Sequence, residues 1–340
     1  MATTIKDVAA LAGVSPSTVS RVCNDHPSIS RETRERVRAA MAELGYEPNT
    51  PAPQAKEHTR MIGVILPPSP RETYENSFHL EVIRGISQVC NQRQVACTIV
   101  TGQDDAEVLQ AVQSLARSGQ TDGFILLYSK KDDIVLDYLC EQGLLYVLIG
   151  KAEALTGQTV CIDNDNLLAG REATEYLYQL GHRRIAYLGS ESTFVFSAER
   201  KSGYQLALLQ HGLPVRPDDC IEMEGMSFDG ADHLVSLLMR PDRPTALVVS
   251  DDLLAVGLER TCTAIGLRIP QDVSIISFNN SIMARLSHPQ LTSVDVNSFQ
   301  LGFEAASQIL NHADNPNLMA AKMIVPHRIV ERASCARIDA

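Results

Sequence analysis

The stretch DVAALAGVSPSTVSRVCND, residues 7–25, decides how the chain begins. Ile5, Val8, Ala9 and Ala12 recur at the i, i+3, i+4, i+7 spacing of one helical face, so a first helix is predicted from about Ile5 to Ala12. Gly13 ends it, because a tight turn needs a residue that tolerates a left-handed backbone. Ser15 is a natural N-cap, and Pro16 follows at the first helical position, where its missing N–H costs nothing. The second helix runs to about Cys23, with Val19, Val22 and Cys23 facing inward and Ser17, Thr18 and Arg21 left outside. Helices this short are marginal alone and need a shared core. A third helix supplies it, capped by Ser30 and running through Val37, Ala40, Met41 and Leu44 to Gly45.

Two short helices joined at a steep angle by a Gly-containing turn make a helix-turn-helix, which lays its second helix in the DNA major groove. Such geometry also occurs in helical caps that bind nothing. The position of Arg21 outside the apolar face, with Arg31, Arg34, Arg36 and Arg38 just beyond, favours DNA.

The totals set limits on the rest. The 340 residues carry a formal net charge of −11, yet residues 1–60 hold 8 Lys+Arg against 7 Asp+Glu. The acidity therefore lies in the body, which would repel nucleic acid, and DNA contact is left to the head. No run approaches the roughly 20 apolar residues needed to span a bilayer. MATTIKDVAA has neither a basic nor an apolar leader region, so a cytoplasmic protein is expected, with no membrane partner. The 8 cysteines are scattered without a C-x-x-C pair, which predicts free thiols and no metal site. No cofactor motif occurs.

Residues 48–60 contain PNTPAPQAKEHTR and read as a linker, which separates a head over 1–47 from a body over 61–335. In the body, short apolar strands alternate with amphipathic helices in two series, the first from MIGVIL (61–66) to LLYVLIG (144–150), the second from Asp165 to DVSIISF (272–278). This alternation predicts an α/β core of two doubly wound parallel-sheet lobes with a cleft between them.

Ligands of such sheets sit beyond the carboxyl ends of the strands. That rule selects Tyr74, Asn76 and Phe78, then Ser129, Lys130 and Lys151 in the first series. In the second it selects Phe194, Phe196, Arg200, Asp251, Asp252, Asn279 and Asn280. With Asp163, these make a cleft of carboxylates, amides, one arginine and aromatic rings. Sugar hydroxyls need paired donors and acceptors, and sugar C–H faces need flat apolar platforms, so the set suits a small sugar.

TIKDVAALAGVSPSTVSRVCND followed by ISRETRERVRAAMAELGYEPN resembles the head of the lactose/galactose repressor family of bacterial transcription regulators. DNDNLLAGREATEYLYQLGHRRIAYLGS, VVSDDLLAVGL and IPQDVSIISFNN resemble its periplasmic-binding-protein-like core. Within the family, RGISQVCNQ, VTGQDD, LIGKAE and VDVNSFQLG are most similar to the maltose operon repressors. The resemblance implies a non-enzymatic repressor, a homodimer on a palindromic double-stranded operator, released or recruited by a small sugar, with maltose or a maltodextrin favoured.

It places Pro16, Ser17 and Arg21 at base-selecting positions, Arg21 being suited to a guanine edge. Thr4, Ser15, Thr18, Ser20, Asn24 and Ser28 would contact phosphates or set register. Asp163, Arg200, Asp251 and Asn279 would touch the effector. In the family's hinge Ala52 matches, but Ala55 stands where a leucine wedges into the minor groove, so the kink is weaker or the hinge docks differently. Many relatives carry aspartate in place of Asn279. A phosphoprotein co-repressor, or another sugar, is the alternative within the class. A transport binding protein or an enzyme is the alternative outside it, and G-x-G-x-x-G, Walker A and G-x-S-x-G motifs are all missing.

Overall fold

The computed structural model describes residues 4–23, 29–46, 60–68, 76–152, 159–223 and 232–338. The chain divides into two compact units, Met1–Thr59 and Arg60–Ala340. The expected sites at Asn24, Ser28, Ala52, Ala55 and Tyr74 lie outside the described residues, as does the linker up to residue 59.

The head contains α1 (Ile5–Ala12), α2 (Pro16–Cys23) and α3 (Arg31–Glu43). Gly13 closes α1 at φ 64°, the left-handed conformation expected of it. The Ser15 hydroxyl accepts the Thr18 N–H at 3.2 Å and so caps α2; Ser30 caps α3 by accepting from Thr33 N at 3.3 Å. Val8, Ala9 and Ala12 meet Val19 and Val22 and then Val37 and Ala40 in one buried cluster. Each helix contributes only two or three side chains, which is why none would persist without the other two.

The body holds two six-stranded sheets. The first lobe uses β1 (Met61–Ile65), β2 (Ala96–Val100), β3 (Gly123–Leu126), β4 (Tyr146–Ile149) and β5 (Val160–Asp163), with α4 (Ser77–Arg93), α5 (Asp105–Arg117) and α6 (Ile134–Glu141). The second lobe follows with α7 (Asn166–Gln179), β6 (Ile185–Ser190), α8 (Val195–Gln210), β7 (Cys220–Met223), α9 (Asp232–Leu238) and β8 (Ala246–Val249). It continues through α10 (Asp252–Ala264), β9 (Ser274–Phe278), α11 (Ile282–Leu286) and β10 (Thr292–Asp295). The chain then returns to the first lobe for α12 (Ser298–Asp314) and β11 (Lys322–Ile324), and ends in the second with β12 (Arg328–Val330).

The strand orders are β11-β5-β4-β3-β1-β2 and β12-β10-β9-β8-β6-β7. All neighbours are parallel except β10 and β12. Each sheet is apolar on both faces, as parallel sheets must be. In the first lobe α4 and α12 cover one face and α5 and α6 the other. In the second, α7 and α8 oppose α9 and α10.

The two-series reading is right about the lobes and incomplete about connectivity. The last third of the chain crosses back, so three strands of chain join the lobes: after Asp163, after Asp295 and after Ile324. Periodicity reports which face of an element is buried, not which sheet receives it.

One device recurs in both lobes. Where α4 crosses α12, a Cβ on Gly85 would stand 2.1 Å from Phe299 O, and one on Gly302 would stand 2.0 Å from Val82 O. Where α7 crosses α8, a Cβ on Gly170 would stand 2.2 Å from Arg200 O, and one on Gly203 would stand 2.1 Å from Leu167 O. The helix backbones touch, and neither contact can absorb a methyl group without separating its helices. Gly170→Ala is therefore expected to cost about 1–3 kcal/mol through overpacking. A thermal melt should show a drop of several degrees, and the displaced Arg200 should weaken ligand binding.

Among the described residues, no helix is long and apolar enough to cross a membrane, and no three His, Cys, Asp or Glu side chains converge as metal ligands. All 8 cysteines are unpaired.

Candidate functional site

In the head, α2 carries every base-selecting candidate. Pro16 is its first residue and is exposed. Ser17, Ser20 and Arg21 are residues of the same helix, whose Val19 and Val22 are buried. The hydroxyl candidates have local duties as well. Thr4 donates from its backbone and hydroxyl to Asp7 at 2.8 and 2.7 Å, and the Ser15 and Thr18 hydroxyls lie 2.9 Å apart. A hydroxyl has one donor and two acceptor sites, so a cap and a phosphate contact can coexist. Arg31 pairs with Glu35 at 2.9 Å, both largely exposed, so part of the basic cluster is locally balanced.

In the body, a cavity of about 340 Å³ opens at the carboxyl ends of both sheets. Asn76, Phe78, Lys151 and Asp163 line it from the first lobe, with Ser129 and Lys130. Phe194, Phe196, Arg200, Asp251 and Asn279 line it from the second. Every described residue that the strand-end rule selects, other than Asp252 and Asn280, is thus brought to one place with Asp163.

Arg200 is its most constrained side chain. It is 4% exposed. Its Nε donates to Asn166 Oδ1 at 2.9 Å and its Nη1 to Ser250 O at 2.7 Å. The guanidinium lies over the Phe278 ring at 4.3 Å and the Phe196 ring at 5.1 Å. Burial pulls its pKa down, against the support of Asp251, Asp163 and Asp252 nearby. An arginine stays cationic under such conditions, where a lysine would not.

Asp251 caps α10, its Oδ1 accepting from Leu253 N at 2.7 Å. Its Oδ2 accepts from Asn279 Nδ2 at 2.7 Å and from Asn76 Nδ2 at 3.2 Å. Asn279 holds this pose at φ 95°, a conformation that asparagine tolerates better than most residues. Since Asn76 belongs to the first lobe, its bond spans the cleft. So does the Lys151–Glu199 ion pair at 2.5 Å, and Val195 N donates to Ser129 O at 3.1 Å.

Burial, reinforced by Asp252, pushes Asp251 up to about 6. Burial, reinforced by Glu199, pushes Asp163 up to about 7 against Arg200 and Lys151. Both folded values exceed the ordinary aspartate value of 3.8, so the folded chain binds these protons more tightly than the unfolded chain. Their contribution to stability is greatest at the acid end of the window and declines as pH rises through 6 and 7. Asp163→Asn, which cannot ionise, should reduce the excess of the melting temperature at pH 5 over that at pH 8, measured against the parent protein.

Two expected residues are elsewhere. Asp252 is 1% exposed and accepts from Ser277 Oγ at 2.5 Å, Ser293 Oγ at 2.8 Å and Ser281 N at 2.7 Å. It ties α10 to the strand ends and does not reach the cavity. Asn280 donates from its backbone to Ser293 Oγ at 2.9 Å, and its side chain pairs with Asp295 and Arg332. After β8 and β9 only the first of the two selected residues lines the cavity, Asp251 and Asn279, and the strand-end rule does not separate it from the second. Asn166 was missed although it lines the cavity and positions Arg200. Its signal is its place in DNDN, three residues after Asp163 at the start of a helix, which brings both side chains to the same end of α7.

A model of the bacterial regulatory proteins of the lacI family matches residues 4–49, and a periplasmic binding protein-like domain matches residues 174–335. The HTH-type transcriptional regulator MalR of Streptococcus pneumoniae is 35% identical over 342 residues, which covers 98% of this chain and 100% of that protein. The structure of the transcriptional regulator CelR–cellobiose complex superposes with a TM-score of 0.74 at 28% identity, covering 98% of this chain and 99% of that one. The lac repressor dimer bound to operator and the anti-inducer ONPF gives a TM-score of 0.70 at 25% identity, over 99% of this chain and 100% of that one.

Proposed function

Because the chain belongs to the lacI family of bacterial regulatory proteins, we propose that it is a sequence-specific transcriptional repressor whose operator affinity is set by a sugar bound between its lobes, with maltose the favoured effector. The observation that carries this reading is the joining, in one chain, of a helix-turn-helix head to a cleft of carboxylates, amides, an arginine and phenylalanines. The full-length likeness to MalR supports maltose, and the cellobiose complex of CelR shows that a protein of this build holds a disaccharide. A cavity of about 340 Å³ is at the small end of ligand sites, which favours a disaccharide over a long maltodextrin.

In this reading the protein acts in the cytoplasm as a homodimer, each head taking one half of a palindromic operator. Asp163, Asp251, Asn76 and Asn279 orient sugar hydroxyls, Arg200 donates to them, and Phe78, Phe194 and Phe196 cover the C–H faces. Lys151 and Glu199 form a latch at the cleft. The sugar leaves unchanged, since nothing in the cleft is asked to do more than bind. Effector and operator affinities must be coupled by one reciprocal factor.

The test is fluorescence anisotropy of a palindromic operator, selected from a random pool on the purified protein, titrated with and without maltose at fixed salt. Many-fold weakening by maltose is expected. Selective DNA binding that maltose leaves untouched would retain the head and remove maltose as effector, and strengthening by a partner protein would replace release with co-repression.

A further inference from the structure

We infer that Asn164 is the pin of the interlobe hinge, the positioning residue that turns occupancy of the cavity into a concerted movement of the two lobes. The inference rests on the effector reading given above and names how that site acts at a distance.

The three crossovers pass Asn164, Val296 and Val325, each immediately beyond the last residue of β5, β10 and β11. Asn164 Nδ2 donates to Val296 O at 3.0 Å and to Val325 O at 2.8 Å. A side-chain amide nitrogen has two hydrogens, so one group satisfies two buried carbonyls from segments 132 and 161 residues away. The side chain is 4% exposed, so water does not compete for these bonds.

The same residue is joined to the cavity. Asn164 N donates to Asp163 Oδ1 at 2.8 Å, and that oxygen also accepts from Asn166 Nδ2 at 3.1 Å. Asn166 in turn holds Arg200 at 2.9 Å. The Asp163 carbonyl accepts from Val325 N at 2.8 Å, which closes the link between the first and third crossovers. A ligand that engages Asp163 and Arg200 therefore pulls on groups one and three hydrogen bonds from the pin. The lobes themselves resist deformation, because the helix pairs α4–α12 and α7–α8 are in backbone contact at their glycines. Movement is left to the crossovers, and a single amide that grips all of them makes three strands of chain turn as one axis. Without it each crossover can yield separately, and the sugar can bind without the second lobe transmitting the change.

The experiment compares Asn164→Asp and Asn164→Ser with the parent protein. Asn164→Asp replaces the donor by an acceptor facing two carbonyls. Tyr204→Phe is the structural control, since it deletes one buried bond, Tyr204 Oη to Ile185 O at 2.8 Å, far along the chain from the crossovers. Maltose affinity is measured by calorimetry and operator affinity by anisotropy with and without maltose. Hydrogen exchange is followed at residues 296–298 and 325–327. Asn164 itself lines the cavity, so the decisive readout is the coupling at saturating maltose: either Asn164 variant is expected to keep its maltose-free operator affinity within about threefold of the parent, while the ratio between its operator affinities without and with saturating maltose falls at least about fivefold, within the usual range of coupling factors. Both distant crossovers should lose protection together, and Tyr204→Phe should retain the full ratio.

An unchanged ratio in a folded Asn164 variant overturns the inference. So does failure of both variants to fold while Tyr204→Phe folds, which would make Asn164 a stability residue alone. If maltose does not shift operator affinity in the parent protein, the effector reading fails, and hydrogen exchange then decides the pin by itself: joint loss of protection at both distant crossovers supports it, and retention overturns it.

Discussion

Arg21→Ala is expected to remove selective operator binding while leaving maltose affinity unchanged. Arg21 stands on α2, past its midpoint, in the helix that a helix-turn-helix presents to the major groove. A bidentate arginine–guanine contact is worth about 1–3 kcal/mol of discrimination per site. A dimer uses it in both half-sites, so the loss for a palindrome is roughly 30-fold to 10⁴-fold. Binding to unrelated DNA, which rests on phosphate contacts, should change little, and its salt dependence should remain. Anisotropy against the selected operator and a scrambled duplex separates the two. Equal weakening on both duplexes would make Arg21 a phosphate contact, and an unchanged preference would show that α2 does not read bases.

Asp251→Ala is expected to do the converse. The variant should bind operator normally and lose its response to maltose. Asp251 gathers three hydrogen bonds at the cleft, from Leu253 N, Asn279 and Asn76. Its removal deletes a carboxylate from the sugar's partners and leaves two amides without their acceptor. Bonds to charged groups contribute about 1.5–3 kcal/mol each, so the loss of one or two should weaken maltose by roughly 10-fold to 10⁴-fold. The lost N-cap of α10 costs about 1 kcal/mol more in stability. A body of this size should withstand that, and a melt should show a small drop. Calorimetry with maltose and anisotropy on the same preparation check both halves. Normal maltose affinity in the variant would remove Asp251 from the site.

The sequence was informative where one residue type answers one local need. Gly13, Ser15, Pro16 and Ser30 each satisfy a helix end, and the three head helices start and stop within a residue or two of those signals. Strand-end positions gathered most of the cleft for the same reason, since the carboxyl end of a buried parallel strand has few places to point. Relations between distant segments were not legible. Asn164 looks like an ordinary loop asparagine until its carbonyl partners are known, and these are set by crossovers that no local pattern announces. Asp252 follows β8 and so meets the strand-end rule, yet three serine partners from later strands and loops bury it away from the cavity. No local pattern gives Gly170 and Gly203 a role, and only the packed pair shows that their missing side chains are what lets the helices meet.

The return of the chain to the first lobe bears on how the protein is made. Leu301, Ala305, Ala306 and Ile309 of α12 belong to the core that also holds Ile62, Val82 and Ile125. A nascent chain that has emerged only as far as Asp295 has all the strands of the second sheet but β12, while the first still lacks a covering helix and an edge strand. The half that is translated first is thus finished late. Its exposed apolar face must be kept from aggregating through the synthesis of most of the protein. Fragments cut between the lobes should fare poorly for the same reason, because no single cut yields two pieces that each own a whole lobe.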